Sequence, residues 1–281
     1  MAYQLRQVSL PLLPSGASDI RILHFSDLHL TPRRQREIAF IKSWAELEPD
    51  LVISTGDFLA HTEAVPFVLE ALQELLSIPG LFVFGSNDYF APSFKNPFRY
   101  LMSDTGIRKY GKALPWQDLN NGLQAKGWIN LNQKKMLIKI KDQLLEVRGT
   151  DDAHLLLDDY HEVSGPPHAK SHLAIGITHA PYKRVVESMQ ADKVKVIFAG
   201  HTHGGQIRLP WFSGSRALTT NCDLPTWRAR GLSQLGEESW LNVSAGVGTS
   251  PFAPFRLFCP PEISLLTLTS CVGKPSQSDS L

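Results

Sequence analysis

The chain has 281 residues, of which 43% are hydrophobic and 20% are charged. This length allows one large domain or two small ones with a sizeable core. The formal net charge is only +1, which gives no indication of a nucleic-acid-binding surface or of an acidic interaction tail.

Three cysteines are too few and too scattered for a disulfide framework, and none of them has the CxxC spacing. A reducing compartment therefore fits best. The first residues show no signal-peptide core, and no apolar run reaches the length of a membrane span. We therefore expect a cytoplasmic protein, and we leave open a peripheral contact with the inner face of the membrane.

The first part of the chain alternates short apolar runs with segments that have apolar residues at helical spacing. This alternation predicts right-handed crossovers and a parallel sheet. The predicted strands are 20–26, 51–55 and 81–85, and the predicted helices between them are 36–47 and 63–77.

The remainder of the chain is more varied. Residues 90–130 are rich in proline, asparagine and aromatic residues and are predicted to be an irregular insertion over the active edge of the sheet. The pattern of 136–147 alternates around a polar turn and indicates a hairpin. The further predicted elements are strands 171–178, 193–200, 206–210, 239–246 and 262–268 and a helix over 181–189. The whole predicts an α/β sandwich of mixed sheets in one domain, 1–269, followed by a disordered tail, 270–281.

Polar residues with metal-binding side chains follow five successive predicted strands. The carboxyl ends of strands in an α/β sheet converge on one edge, which is where ligands bind. One such pair could arise by chance, but five in order indicate a site. Imidazole, carboxylate and carboxamide without thiolate favour Mn, Fe or Zn. The segments in chain order are SDLH (26–29), STGD (54–57), GSND (85–88), ITHA (177–180) and AGHTH (199–203).

These motifs, in this order, resemble the calcineurin-like metallophosphoesterases over about residues 19–269. The GHTHGGQIRLP segment and the closing FRLFCPPEISLLTL segment resemble the bacterial YkuE-like phosphodiesterase subgroup more specifically. The resemblance implies a four-layer α/β/β/α sandwich. It also implies hydrolysis of a phosphodiester or diphosphate by hydroxide shared between two divalent metal ions.

The resemblance also implies the role of each ligand. Asp57 is expected to bridge the two metals, and Asp57, Asn87 and His201 are assigned to catalysis. The expected ligands are Asp27, His29 and His203 for one metal, and His179, His201 and Asn87 for the other.

The third segment departs from the family pattern of glycine, asparagine, histidine and an acid. Without a gap, Ser86 takes the ligand position and Asn87 takes the position of the histidine. Shifted by one, Asn87 becomes the ligand, and we favour this register because an amide oxygen is a better metal ligand than a neutral hydroxyl. In either register the histidine that would protonate the leaving group is missing, and His61 and His154 are candidates to replace it.

Two alternatives remain at this point. The chain could be a non-catalytic scaffold with the same fold, although a scaffold has no need of the retained ligands. It could also be a phosphomonoesterase.

The substrate is expected to be a phosphate-containing small molecule or a lipid-linked compound. Aromatic residues in proline-rich loops would form a lipid-binding edge if they were exposed together rather than buried in the core. They are Trp211, Phe212, Phe252 and Phe255.

Overall fold

The computed structural model describes residues 3–92, 111–211, 214–249 and 254–271. The strands, in chain order, are β1 (Gln4–Leu13), β2 (Ile20–Phe25), β3 (Leu51–Ser54), β4 (Gly80–Phe82), β5 (Ile129–Asn130), β6 (Lys134–Ile140), β7 (Gln143–Gly149), β8 (Leu173–Ile177), β9 (Val196–Ala199), β10 (Arg208–Trp211), β11 (Gly214–Ala217), β12 (Gly231–Leu235), β13 (Ser239–Val243) and β14 (Glu262–Ser270). The helices are α1 (Gln35–Lys42), α2 (Val65–Leu72), α3 (Ser86–Tyr89), α4 (Trp116–Gln124) and α5 (Lys183–Ala191).

Two six-stranded mixed sheets make up the centre of the fold. The first has the order β1-β14-β2-β3-β4-β5, and the second has the order β12-β13-β9-β8-β7-β6. The strands β2, β3 and β4 run parallel, as do β7, β8 and β9, whereas β14 is antiparallel to β2. A separate two-stranded hairpin, β10–β11, follows the second sheet.

The layers follow from which faces are apolar. One apolar cluster lies between the two sheets and combines side chains such as Ile22 and Ile53 with Val147 and Phe198. A second cluster packs α1, α2 and α4 against the outer face of the first sheet, and a third packs α5 against the second sheet. Burying each large aliphatic or aromatic side chain contributes about 1.5–3 kcal/mol. The predicted α/β/β/α sandwich of mixed sheets is confirmed.

The predicted hairpin over 136–147 is confirmed as β6 and β7, which extend it at both ends. The predicted helix over 36–47 is α1 followed by a 3₁₀ turn, Ser43–Leu47. The strand β1 was not predicted. Its one proline, Pro11, is tolerated because β1 is an edge strand of the first sheet.

The expectation that all of 90–130 is irregular is wrong for its second half. Residues 116–124 form α4, which packs against α2, and β5 then adds to the first sheet beside β4. The apolar pattern of α4 is weak in the sequence, because only two of its residues, Leu119 and Leu123, are buried and most of the others are polar. Residues 93–110 and the predicted tail residues 272–281 lie outside the described residues.

Among the helices that the structure describes, none is both long and apolar enough to cross a membrane.

Candidate metal centre

The first group of candidate ligands combines the loop after β2 with the turn after β9. Asp27, His29 and His203 bring their ligand atoms within 4.8 Å of one another. The Nε2 atoms of His29 and His203 are 3.2 Å apart, and Asp27 Oδ1 is 3.4 Å from His203 Nε2. Two imidazole nitrogens at about 2.0–2.1 Å from one cation would lie about 3.0–3.4 Å apart. The spacing of the two rings therefore fits a shared metal ion.

The second group uses the loop after β3 and the end of β8. Asp27, Asp57 and His179 also bring their ligand atoms within 4.8 Å of one another. Asp57 Oδ2 lies 3.5 Å from His179 Nε2 and 3.6 Å from His29 Nε2. The Asp57 carboxylate thus lies between a histidine of each sheet, where a bridging ligand is expected.

His201 lies beside these groups but belongs to neither. Its ring centroid is 5.3 Å from that of His179, and its backbone N–H donates to Asp27 Oδ2 at 3.1 Å. Its Nε2 lies 3.1 Å from the carbonyl oxygen of Asn221. If Nε2–H donates there, Nδ1 is the nitrogen whose lone pair is left for a metal. Ligation by His201 stays a prediction.

The backbone is strained at five of these positions. Asp27, His29, Asp57, His201 and His203 all have φ between 44° and 67°. Residues with a Cβ atom rarely adopt the left-handed region, and each costs of order 1 kcal/mol there. Such strain is concentrated at functional sites, where tight turns direct side chains towards a common point.

The donor set fits a cation. His179 Nδ1–H donates to the Thr55 carbonyl at 2.6 Å, so Nε2 carries the lone pair. Within the described residues, His179 Nε2 and Asp27 Oδ1 are buried without a hydrogen-bond partner. Leaving a buried polar atom unpaired costs about 1–3 kcal/mol. Cations held by these two groups of residues would satisfy both atoms.

The pKa values of the histidines also indicate that the site attracts a cation. Burial lowers the pKa of His201 to about 4 and, with His29 and Arg256, lowers the pKa of His203 well below its ordinary value. Burial also lowers the pKa of His179, but the carboxylates of Asp57, Asp152 and Asp27 outweigh it and raise the pKa to about 9. Without a metal, a proton on His179 therefore takes the place of the cation that these carboxylates attract.

The loop after β4 holds Asp57 in place. The backbone N–H and the Nδ2 amide of Asn87 donate to Asp57 Oδ1 and Oδ2, each at 2.7 Å. The fully buried Asp88 accepts hydrogen bonds from the backbone N–H groups of Asp57, Phe58 and Gly85 at 2.8–2.9 Å. The segment is therefore built around the candidate bridging carboxylate, with Asn87 in direct contact with it.

Replacing Asn87 by alanine should lower the affinity for one of the two proposed metals by about 10- to 100-fold, because an amide that contacts the candidate bridging carboxylate is lost. The matched control is Ser86→Ala in the preceding residue, which should leave both affinities near those of the wild type. Calorimetric titration of the metal-stripped protein with Mn²⁺ measures both. A loss of metal caused by Ser86→Ala instead would favour the ungapped register.

Three contacts in the centre were missed from the sequence. The Thr55 contact uses a main-chain carbonyl, and Asn221 comes from a loop without a recognisable motif. The third is Arg256, whose side chain is 5% exposed and whose Nη2 is 3.3 Å from His203 Nδ1. It also donates to the carbonyls of residues 245, 246 and 248. A lone arginine in an apolar, proline-rich segment was the available signal.

The two histidines that are candidates to replace the missing leaving-group histidine have different surroundings. The His61 side chain is 49% exposed, and its Nδ1 accepts the backbone N–H of Glu63. His154 is buried, with its ring 4.6 Å from that of His201 and its Nδ1 3.0 Å from the Tyr182 hydroxyl. Of the two, His154 lies beside the candidate centre.

The sequence of the chain matches the model of one protein family, described as calcineurin-like phosphoesterase, over residues 20–205. The match covers well over half of the chain and contains the candidate ligands on both sheets.

Several relatives are similar to this chain over nearly its whole length. A Bacillus subtilis (strain 168) protein named as an uncharacterized metallophosphoesterase, YkuE, is 26% identical over 92% of this chain and 82% of its own length. The Escherichia coli (strain K12) phosphodiesterase YaeI is 24% identical over 95% and 88%. The UDP-2,3-diacylglucosamine pyrophosphatase LpxG of Chlamydia muridarum (strain MoPn / Nigg) is 27% identical over 91% and 84%.

Proposed function

Because the chain belongs to the calcineurin-like phosphoesterase family, we propose that it hydrolyses a phosphodiester or diphosphate bond with two divalent metal ions. The family is metal-dependent, and its members are hydrolases of phosphoric esters.

One observation carries the proposal. Two groups of ligands, all buried except the partly buried His203, share Asp27. Each group contains an atom, Asp27 Oδ1 or His179 Nε2, that is left without a partner among the described residues. The carboxylates of Asp27 and Asp57 attract positive charge. Two adjacent cation positions account for both groups better than one.

The ligands would divide between the positions as the resemblance implies. Asp27, His29 and His203 would hold one ion, and His179 and His201 with Asn87 the other, while Asp57 bridges them. Bound ions of this kind polarise a phosphoryl oxygen and lower the pKa of a water molecule so that it can attack near neutral pH. Mn, Fe and Zn suit these ligands.

The chain's own residues then limit the substrate. Asn87 can donate a hydrogen bond, but an amide cannot deliver a proton to a leaving group near neutral pH. An alkoxide leaving group needs such a proton, whereas a phosphate leaving group, the anion of a much stronger acid, needs it less. A diphosphate or an activated diester therefore suits this site better than an alkyl monoester.

The relatives support the same classes of bond. YaeI is named a phosphodiesterase, and LpxG is named the pyrophosphatase of a diacylated sugar nucleotide. We propose that a lipid-linked diphosphate belongs to the substrate class of this chain too.

The test is hydrolysis by purified protein that has been stripped of metal and reloaded with Mn²⁺, Fe²⁺ or Zn²⁺. We expect turnover of bis(p-nitrophenyl) phosphate and of a UDP-sugar diphosphate to exceed that of an alkyl phosphate monoester by about tenfold or more. EDTA should abolish it, because the ions supply the attacking group and the charge stabilisation.

The Asp57→Asn variant, purified in the same way, serves as the control for contaminating phosphatases. Faster turnover of the monoester would indicate a phosphomonoesterase. Turnover of no substrate with any of the metals, in protein that binds them, would contradict the proposal.

A further inference from the structure

We propose that the exposed apolar face beside the candidate metal centre docks on an anionic lipid bilayer. This hairpin face consists of Leu209 and Leu218 on or next to the β10–β11 hairpin, with Phe255, Leu257 and Phe258 on the segment beside it. These five side chains are 44–60% exposed. The inference deepens the proposed function, since it rests on the lipid-linked substrate class and names the surface that would meet the lipid.

The strand register places these residues on one side. Leu209 is the partner of Arg216 in the hairpin, and residues directly opposite each other in an antiparallel pair share a face. Arg208 and its partner Ala217 are both buried, so they form the inner face. The side chains that alternate with them therefore point outwards.

The neighbouring segment continues the same face. Ile207 pairs with Leu257 in an isolated parallel bridge, and the Leu218 N–H donates to the Ile207 carbonyl at 3.3 Å. Gln206 Nε2 donates to the Phe255 carbonyl at 2.8 Å and fixes that residue next to the hairpin. A group of neighbouring large apolar side chains that are exposed on a protein surface indicates an interaction site.

Two arginines lie on or beside this face, which favours an anionic surface as the occupant. Arg216 lies on the face itself, and Arg228 stacks over Trp227, which is 59% exposed, with its guanidinium carbon 4.3 Å from the ring centroid. The turn that carries Trp227 and Arg228 packs on β11. The nearby carboxylate of Asp223 accepts the N–H of Lys183 at the start of α5. Aromatic and aliphatic side chains with flanking arginines are typical of peripheral membrane contacts.

The face is close to the candidate centre. The turn His203–Gly205 is separated from β10 by only two residues. Arg256, which contacts His203, lies between Phe255 and Leu257. A bilayer on this face would bring lipid headgroups to the edge of the centre. Phe212 and Phe252, which the sequence suggested for a lipid-binding edge, lie outside the described residues, as does the side chain of Trp211.

Vesicle co-sedimentation of the full chain without substrate tests the contact. We expect binding to vesicles of phosphatidylcholine and phosphatidylglycerol at 3:1 to exceed binding to pure phosphatidylcholine by about tenfold or more at low salt. Leu209→Ser with Leu257→Ser should lower the binding to the mixed vesicles by about tenfold or more, since two apolar contacts are lost. Arg216→Gln should reduce the preference for anionic vesicles.

The matched control is Met136→Ser, which removes an exposed apolar side chain (36% exposed) from the edge strand β6 on the far side of the second sheet. It should bind like the wild type. Turnover of a water-soluble aryl phosphodiester should be unchanged in all these variants, so vesicle binding and hydrolysis are read separately.

Three results would overturn the inference. The first is equal binding to neutral and anionic vesicles, and the second is equal loss of binding in Met136→Ser. The third is a dimer that light scattering detects in the wild type but not in the Leu209/Leu257 variant, with no vesicle binding by either, which would show that a second copy covers the face.

Discussion

Replacement of Asp57 by asparagine is expected to lower kcat/KM by about a thousandfold or more, equivalent to roughly 4 kcal/mol of transition-state stabilisation. The carboxylate lies 3.5 Å from His179 Nε2 and 3.6 Å from His29 Nε2, between the two groups of ligands. The amide of asparagine is nearly the same size but carries no charge. The attraction for the two proposed cations should therefore fall together, so that both are bound more weakly.

Metal analysis after dialysis and calorimetric titration measure this effect independently of turnover. Circular dichroism should show a folded variant, because the shape of the side chain is kept. Full occupancy of two metals with near-normal turnover would exclude a bridging role for Asp57. Loss of only one metal would assign the carboxylate to a single ion.

Alanine at position 85 is expected to cost at least about a hundredfold in kcat/KM, although no candidate ligand is changed. A Cβ atom on Gly85 would lie 2.3 Å from Asp57 Oδ1 and 2.5 Å from His179 Cε1. Contacts below 3.0 Å force a displacement, and here both neighbours are candidate ligands. The backbone of Gly85 is extended, with φ −113°, so steric contact and not backbone strain causes the loss.

Gly127→Ala is the matched control, because it introduces backbone strain without steric contact, the opposite of Gly85→Ala. Gly127 has φ +91° and no heavy atom within 4 Å of an added Cβ. It should lower the free energy of unfolding by about 1 kcal/mol and leave turnover unchanged. Urea unfolding and steady-state kinetics on both variants separate the effects. Normal turnover in Gly85→Ala would mean that the spacing of Asp57 and His179 does not matter for catalysis.

The parts of the site that the sequence predicted are those that strand order controls. Asp27 and Asp57 come within three residues of the ends of β2 and β3 in the first sheet, and His179 comes two residues after β8 in the second. Parallel strands end at one edge of their sheet whatever the loops do. The same argument found His29 and His203, since each lies two residues beyond a residue at such an end. No knowledge of distant contacts was needed.

The parts that were missed depend on contacts between residues far apart in the chain. Asn221 reaches His201 from a loop 20 residues away, and Arg256 reaches His203 across 53 residues. The Thr55 carbonyl that orients His179 is main chain, so no choice of side chain at position 55 reveals it. The helix α4 was missed because tertiary packing stabilises a stretch whose local pattern is weak.

The candidate ligands come from both sheets, with Asp27, His29 and Asp57 after strands of the first and His179, His201 and His203 after strands of the second. Cations held between them would tie the two sheets together at one end, much as a disulfide ties two segments. The folded state would then gain stability in proportion to the logarithm of the free metal concentration. Metal supply would thus set how long each molecule lasts as well as how fast it works, and a cell short of the ion would lose the protein along with its activity.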